Sequence, residues 1–131
     1  MPLATTAIYA ALLALFSIFL SARAGLFRAK AGISILHGDP VNWELAERVR
    51  VHQNFLEYVP LILILMGIIE INGGSTAYLH VAGILLIAMR AAHLIGLKHD
   101  NMAHVGRTVG AGGTALITVA SAGYSLWLAL M

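Results

Sequence analysis

The stretch "RVRVHQNFLEYVPLILILMG", Arg48 to Gly67, begins as a charged helix and ends as a run that no aqueous surface tolerates. Its second half opens an apolar span, and its first half is the polar approach to that span. An α-helix turns by about 100° per residue, so positions i, i+4 and i+7 share a face. Arg50, Asn54 and Glu57 have that spacing, and Tyr58 borders the same face, while Arg48 and His52 point roughly the opposite way. A cation, an amide and a carboxylate are thus carried together to the threshold of an oily helix.

The rest of the chain has the same character. Of 131 residues, 60% are hydrophobic and only 11% are charged, with a mean hydropathy of +0.85. Soluble domains are about 25% charged, so this is a membrane composition. The fold class expected is all-α, an integral membrane four-helix bundle in one domain over 1–131. The spans are expected at about 5–22, 55–71, 76–97 and 108–130, each near the length of about 20 residues that a bilayer requires. The first is read as a retained helix, because its first positive charge, Arg23, follows the apolar run. The second continues a helix expected to start near Asp39–Pro40, with Asp as N-cap and Pro in the first turn. Only "NGGS" joins the second and third spans, which predicts a tight helical hairpin.

Basic residues set a direction. Arg23, Arg28, Lys30, Arg48 and Arg50 lie between spans one and two, and Lys98 and Arg107 flank the connection between spans three and four. Positive charge favours the cytoplasmic side, so loops one and three are expected there, with both termini outside. Small residues mark helix contacts: Ala10, Ala14, Ser17 and Ser21 form a stripe on span one, and Gly110 and Thr114 stand four apart in span four. There is no cysteine, which excludes disulfides and thiolate chemistry from the protein's own side chains. Scattered basic residues and a net charge of +2 give no footprint for nucleic acid.

A second polar set lies in "LLIAMRAAHLIGLKHD", where Arg90, His93 and Leu97 fall at i, i+3 and i+7. Glu57 and Arg90 come to comparable depth, each within about two turns of the cytoplasmic end. A charge inside a span costs several kcal/mol unless paired or hydrated, so one reading has Glu57 and Arg90 neutralise each other. That pairing does not exclude function, because Arg50, Asn54, His93 and Arg107 still crowd the same rim, and the set taken together looks like a polar pocket for an anionic, zwitterionic ligand. Arg50 alone reads as a snorkelling cation. His37, His99 and His104 lack ligand spacing and, with Asp100, read as solvated loop residues, so no metal site is expected. Glu70 and His80 sit at the outer boundary, facing water or each other. Trp43, Tyr124 and Trp127 suit interfacial belts.

The segment "RVHQNFLEYVPL" resembles the signature of the MAPEG family, the membrane-associated proteins in eicosanoid and glutathione metabolism. The resemblance continues in "RAAHLIGL" of span three and "GRTVG" of span four. It implies a homotrimer with glutathione, as co-substrate, bound between subunits near the cytoplasmic face. Carried over by position, Arg50, Asn54, Glu57 and Tyr58 hold the tripeptide with Arg90 and His93. His52, and Arg28 or Arg23, serve the neighbouring subunit's site. Arg107 matches the family's arginine that stabilises the glutathione thiolate for attack on a lipophilic small molecule held among membrane lipid.

The sequence departs from the family's synthases at His93 and Leu97, where those carry tyrosines, and at Ala111, where some members place a hydroxyl. These departures point to a generic bacterial-type member of an inner membrane, similar to microsomal glutathione transferases. A non-catalytic lipid- or glutathione-binding protein is the alternative within the family. A small multidrug transporter is the alternative outside it, but that family carries a glutamate in span one and this chain has none there.

Overall fold

The computed structural model describes residues 3–131. Four helices follow in order: α1 (Ala4–Lys30), α2 (Trp43–Ile71), α3 (Thr76–Gly96) and α4 (Val105–Leu130), and no strand occurs among the described residues. All four are long and apolar enough to cross a membrane. The spans read from hydropathy fall within these helices to within a residue. α1 and α2, with 27 and 29 residues, extend about two turns or more beyond what the bilayer core requires.

α2 begins later than Asp39–Pro40. Asn42 is the N-cap, its Oδ1 accepting from the Leu45 amide at 3.0 Å, and residues 31–42 form an irregular connection. Asp and Asn both suit caps, and the better-placed Asn won. Ser75 caps α3, accepting from the Tyr78 amide. The 72–75 hairpin turns at Gly73, whose φ of +76° lies in the left-handed region that glycine enters at least cost.

α1 has no side-chain cap of its own. Instead, the Glu70 carboxylate at the far end of α2 accepts from the Thr5 and Thr6 amides at 2.8 and 2.7 Å. Nearby, the Tyr9 hydroxyl bonds His80 at 2.9 Å, and Gly83 leaves room for the Tyr9 ring. Glu70 and His80 therefore face neither water alone nor each other. Each binds α1, because helix ends and hydroxyls at that depth need partners.

The core follows α2. Val51, Phe55, Val59, Ile62, Met66 and Ile69 are buried at steps of four, four, three, four and three, the inward stripe of a bundled helix. Leu13 and Leu20 of α1 and Leu79 and Leu86 of α3 close on it. The outward ring, including Leu15, Ile18, Ile64, Ile84, Leu116 and Val119, is exposed and apolar, as a lipid-facing surface must be.

α3 and α4 pack by backbone approach. α4 buries Gly110, Thr114, Ile117 and Ser121, a narrow seam that includes the predicted Gly110–Thr114 pair. A Cβ on Gly110 would lie 2.6 Å from the His93 nitrogen, and one on Gly96 would strike the backbone of Gly106 and Arg107. This contact places Arg107 against the end of α3. The stripe on α1 borders a groove of about 210 Å³ instead, where Ala10, Ala14 and Ser17 face Phe55, Val59 and Pro60 of α2.

Candidate functional site

A cavity of about 330 Å³ opens at the end of the bundle where α2 begins and α3 gives way to α4. Trp43, Glu47, Arg50 and Asn54 of α2 form one wall, on one helical face at steps of four, three and four. His93, Leu97, Lys98 and His99 form the second, and Arg107 and Ala111 of α4 the third. Three cationic side chains, Arg50, Lys98 and Arg107, thus face one carboxylate, Glu47. Among the expected site residues, the fold gathers Arg50, Asn54, His93 and Arg107 around one space within a single subunit.

Arg107 sits in the first turn of α4. His104 is the N-cap, its Nδ1 accepting from the Gly106 amide at 3.1 Å, so that histidine is structural rather than merely solvated. A helix N-terminus adds positive potential to the guanidinium beside it.

Glu57 and Arg90 are not partners. Glu57 Oε1 accepts from Arg50 Nη1 at 2.7 Å, both side chains half exposed, with the exposed Tyr58 next to Glu57 in sequence. Arg90 is 3% exposed and spans three helices: Nη1 donates to Asn54 Oδ1 at 2.8 Å and Nη2 to the Gly110 carbonyl at 3.2 Å. Equal depth did not bring the two together, because Arg90 points into the bundle and Glu57 points away. Arg90 also stays behind the cavity wall, out of contact with its space.

His52 turns towards α1, where Ser17 Oγ lies 3.4 Å from Nε2. Arg28 lies in the last turn of α1, outside this cavity, with an enclosed Nη1 that has no partner among the described residues. Arg23 belongs with Phe27, Lys30 and Arg48 to a separate hollow of about 250 Å³ between α1 and α2. Arg48 lies over the Phe27 ring at 4.4 Å, is tied to Glu44 at 2.6 Å and donates to the Arg23 carbonyl.

Sequence reasoning missed Glu47. Its Oε1 accepts from both the His99 amide and the His99 ring at 2.8 Å, and Lys98 Nζ lies 3.4 Å from Oε2. Trp43 stacks on the same imidazole at 5.4 Å between centroids. These contacts pin the α3–α4 loop to the first turns of α2 and form the cavity's mouth. Extending the Arg50–Asn54 face one turn back reaches Glu47, so the signal was present. Asp100 joins Glu47 and His99, with ligand atoms within 4.8 Å, but the Lys98 ammonium opposes a cation there.

Fold and site together define a multi-pass membrane protein whose helix bundle carries a cation-lined cavity at one end. A family model described as the MAPEG family matches residues 6–127. The inner membrane protein YecN of Escherichia coli K12 is 35% identical over 94 residues, 72% of this chain and 70% of that protein. YecN of Escherichia coli O6:H1 matches with the same figures. The chain belongs to the MAPEG family. No solved structure matches it.

Proposed function

We propose that the cavity binds glutathione and that Arg107 activates its thiol for attack on a lipophilic electrophile, a glutathione transferase or peroxidase-like activity. The observation that carries this reading is the convergence of Arg50, Asn54, His93 and Arg107 on one space. Glutathione brings two carboxylates and one ammonium group, and the wall offers guanidinium groups, an amide and one carboxylate. The volume lies at the lower end of small-molecule sites, about 300–1,000 Å³. In a transferase reaction the thiolate sulfur forms a bond to the electrophilic carbon as the leaving group departs with the bonding electrons. The thiol proton passes to solvent.

Titration of detergent-purified protein with glutathione, followed by thiolate absorbance and then by addition of an aromatic halide, tests the reading. Saturable thiolate formation and halide release are expected, and no thiolate signal would refute it. Arg50→Ala should weaken binding by about 1.5–3 kcal/mol, the range for a hydrogen bond to a charged group. Leu63→Ala, deeper in α2, should leave it unchanged, and equal effects would place the site elsewhere.

The Arg50–Glu57 pair and Tyr58 stand half exposed at the membrane boundary, which supports a homotrimer in which a neighbour covers them. His52 and an arginine at the end of α1, Arg28 or Arg23, then lie towards the adjoining site. YecN's description supports an inner-membrane location, and the basic residues support loops one and three on the cytoplasmic side with both termini outside. Crosslinking in mild detergent should yield trimers, and cysteines introduced near Arg28 and at the C-terminus should label from opposite sides. A ladder ending at dimers, or labelling from one side, contradicts the respective statement.

One feature favours a second reading. No lining residue of the cavity carries a hydroxyl, and Ala111 stands a turn after Arg107. Binding of glutathione or lipid without chemistry therefore remains the competing function, and the halide step separates the two.

A further inference from the structure

We infer that Arg90 is a positioning residue that turns the Asn54 amide so that its NH2 group faces the cavity, making this wall selective for a ligand carboxylate. The inference rests on the proposed function for the ligand's identity, but its geometry is independent of it. A guanidinium carries donors only. Arg90, buried between α2 and α4, can therefore meet only the oxygen end of the Asn54 amide, and it does so at 2.8 Å. The nitrogen end is left over. Nδ2 has no hydrogen-bond partner among the described residues and is not enclosed, and Asn54 lines the cavity. Two N–H donors thus join those of Arg50 and Arg107 around one space.

The second bond of Arg90 serves the same end. Nη2 holds the Gly110 carbonyl, one turn beyond Arg107, so one buried side chain sets both the amide's orientation and the height of α4. The Asn54 amide end and the Arg50 and Arg107 guanidinium groups then present donors only to this space. A ligand group bound here must supply acceptor oxygens, and a carboxylate supplies two.

Asn54→Asp separates the two ends of the amide. Arg90 keeps an oxygen partner, now charged, while the cavity receives an oxygen in place of NH2. In detergent, Asn54→Asp should melt no lower than wild type, whereas Asn54→Leu, which strands the guanidinium, should melt lower. The Asp variant should lose at least about tenfold in glutathione affinity, the ratio set by about 1.4 kcal/mol. It should also lose the wild-type preference for glutathione over glutathione diethyl ester, a selectivity that general loosening of the fold would not erase. An Asp variant that melts as low as Leu, or that keeps wild-type preference for the free acid, overturns the inference. If wild-type protein takes up no glutathione, the proposed function falls, and the melting comparison decides the role of Arg90 alone.

Discussion

Arg107→Ala is expected to abolish, or cut at least about tenfold, the formation of thiolate at neutral pH while glutathione still binds. A free thiol has a pKa of about 8.5 and is mostly protonated at pH 7. Below that pKa, only a site that favours the anion raises the thiolate fraction, and each unit by which the pKa falls corresponds to about 1.4 kcal/mol. Arg107 is placed to do this, one of three cationic side chains on the wall and at the start of α4, where guanidinium and helix dipole add. Arg50 and Asn54 remain in the variant to hold carboxylates, so affinity should change less than ionisation. Arg107→Lys should recover part of the thiolate, since a point charge remains but the planar fork is lost. Thiolate absorbance against pH, with binding measured in parallel, reads both quantities. Identical titration curves for wild type and both variants would leave Arg107 as an anchor and the protein as a binder.

Gly96→Val should strongly destabilise the fold. A Cβ at Gly96 meets the backbone of Gly106 and Arg107, not the tip of a side chain that could swing away. Overpacking ordinarily costs about 1–3 kcal/mol, and the top of that range applies where backbone must move. α4 would lift from α3, carrying Arg107 out of the cavity wall, so glutathione binding should fall together with stability. Gly112→Ala is the control: nothing lies within 4 Å of its Cβ, and alanine favours a helix by up to about 1 kcal/mol. Denaturation midpoints in detergent distinguish the two. Equal midpoints for both variants would show that α3 and α4 do not depend on this contact.

Hydropathy revealed the four helices because each must present apolar side chains to lipid around most of its circumference. It could not reveal which faces meet. Arg50, Asn54, His93 and Arg107 were legible as one rim, since depth and spacing suffice when several polar groups share one end. The reading that paired Glu57 with Arg90 rested on depth, and depth leaves rotation about each helix axis free. Asn54 is the partner that rotation selects for Arg90, and Arg50 the one it leaves for Glu57. Glu47 lay unread because it precedes the apolar run, although it continues the same face as Arg50. The start of α2 was misplaced for a local reason: Asp39 and Asn42 offer competing caps within four residues, and composition does not rank them.

The bond between Glu70 and the start of α1 has a consequence for the register of the bundle. The first amide protons of α1 have no side-chain acceptor within that helix. They go instead to a carboxylate at the far end of α2, some 65 residues on. Two neighbouring amides, each on its own oxygen of one carboxylate, admit a single height of α1 against α2. Glu70 thereby works as a depth stop for a helix whose apolar face alone would repeat itself every turn.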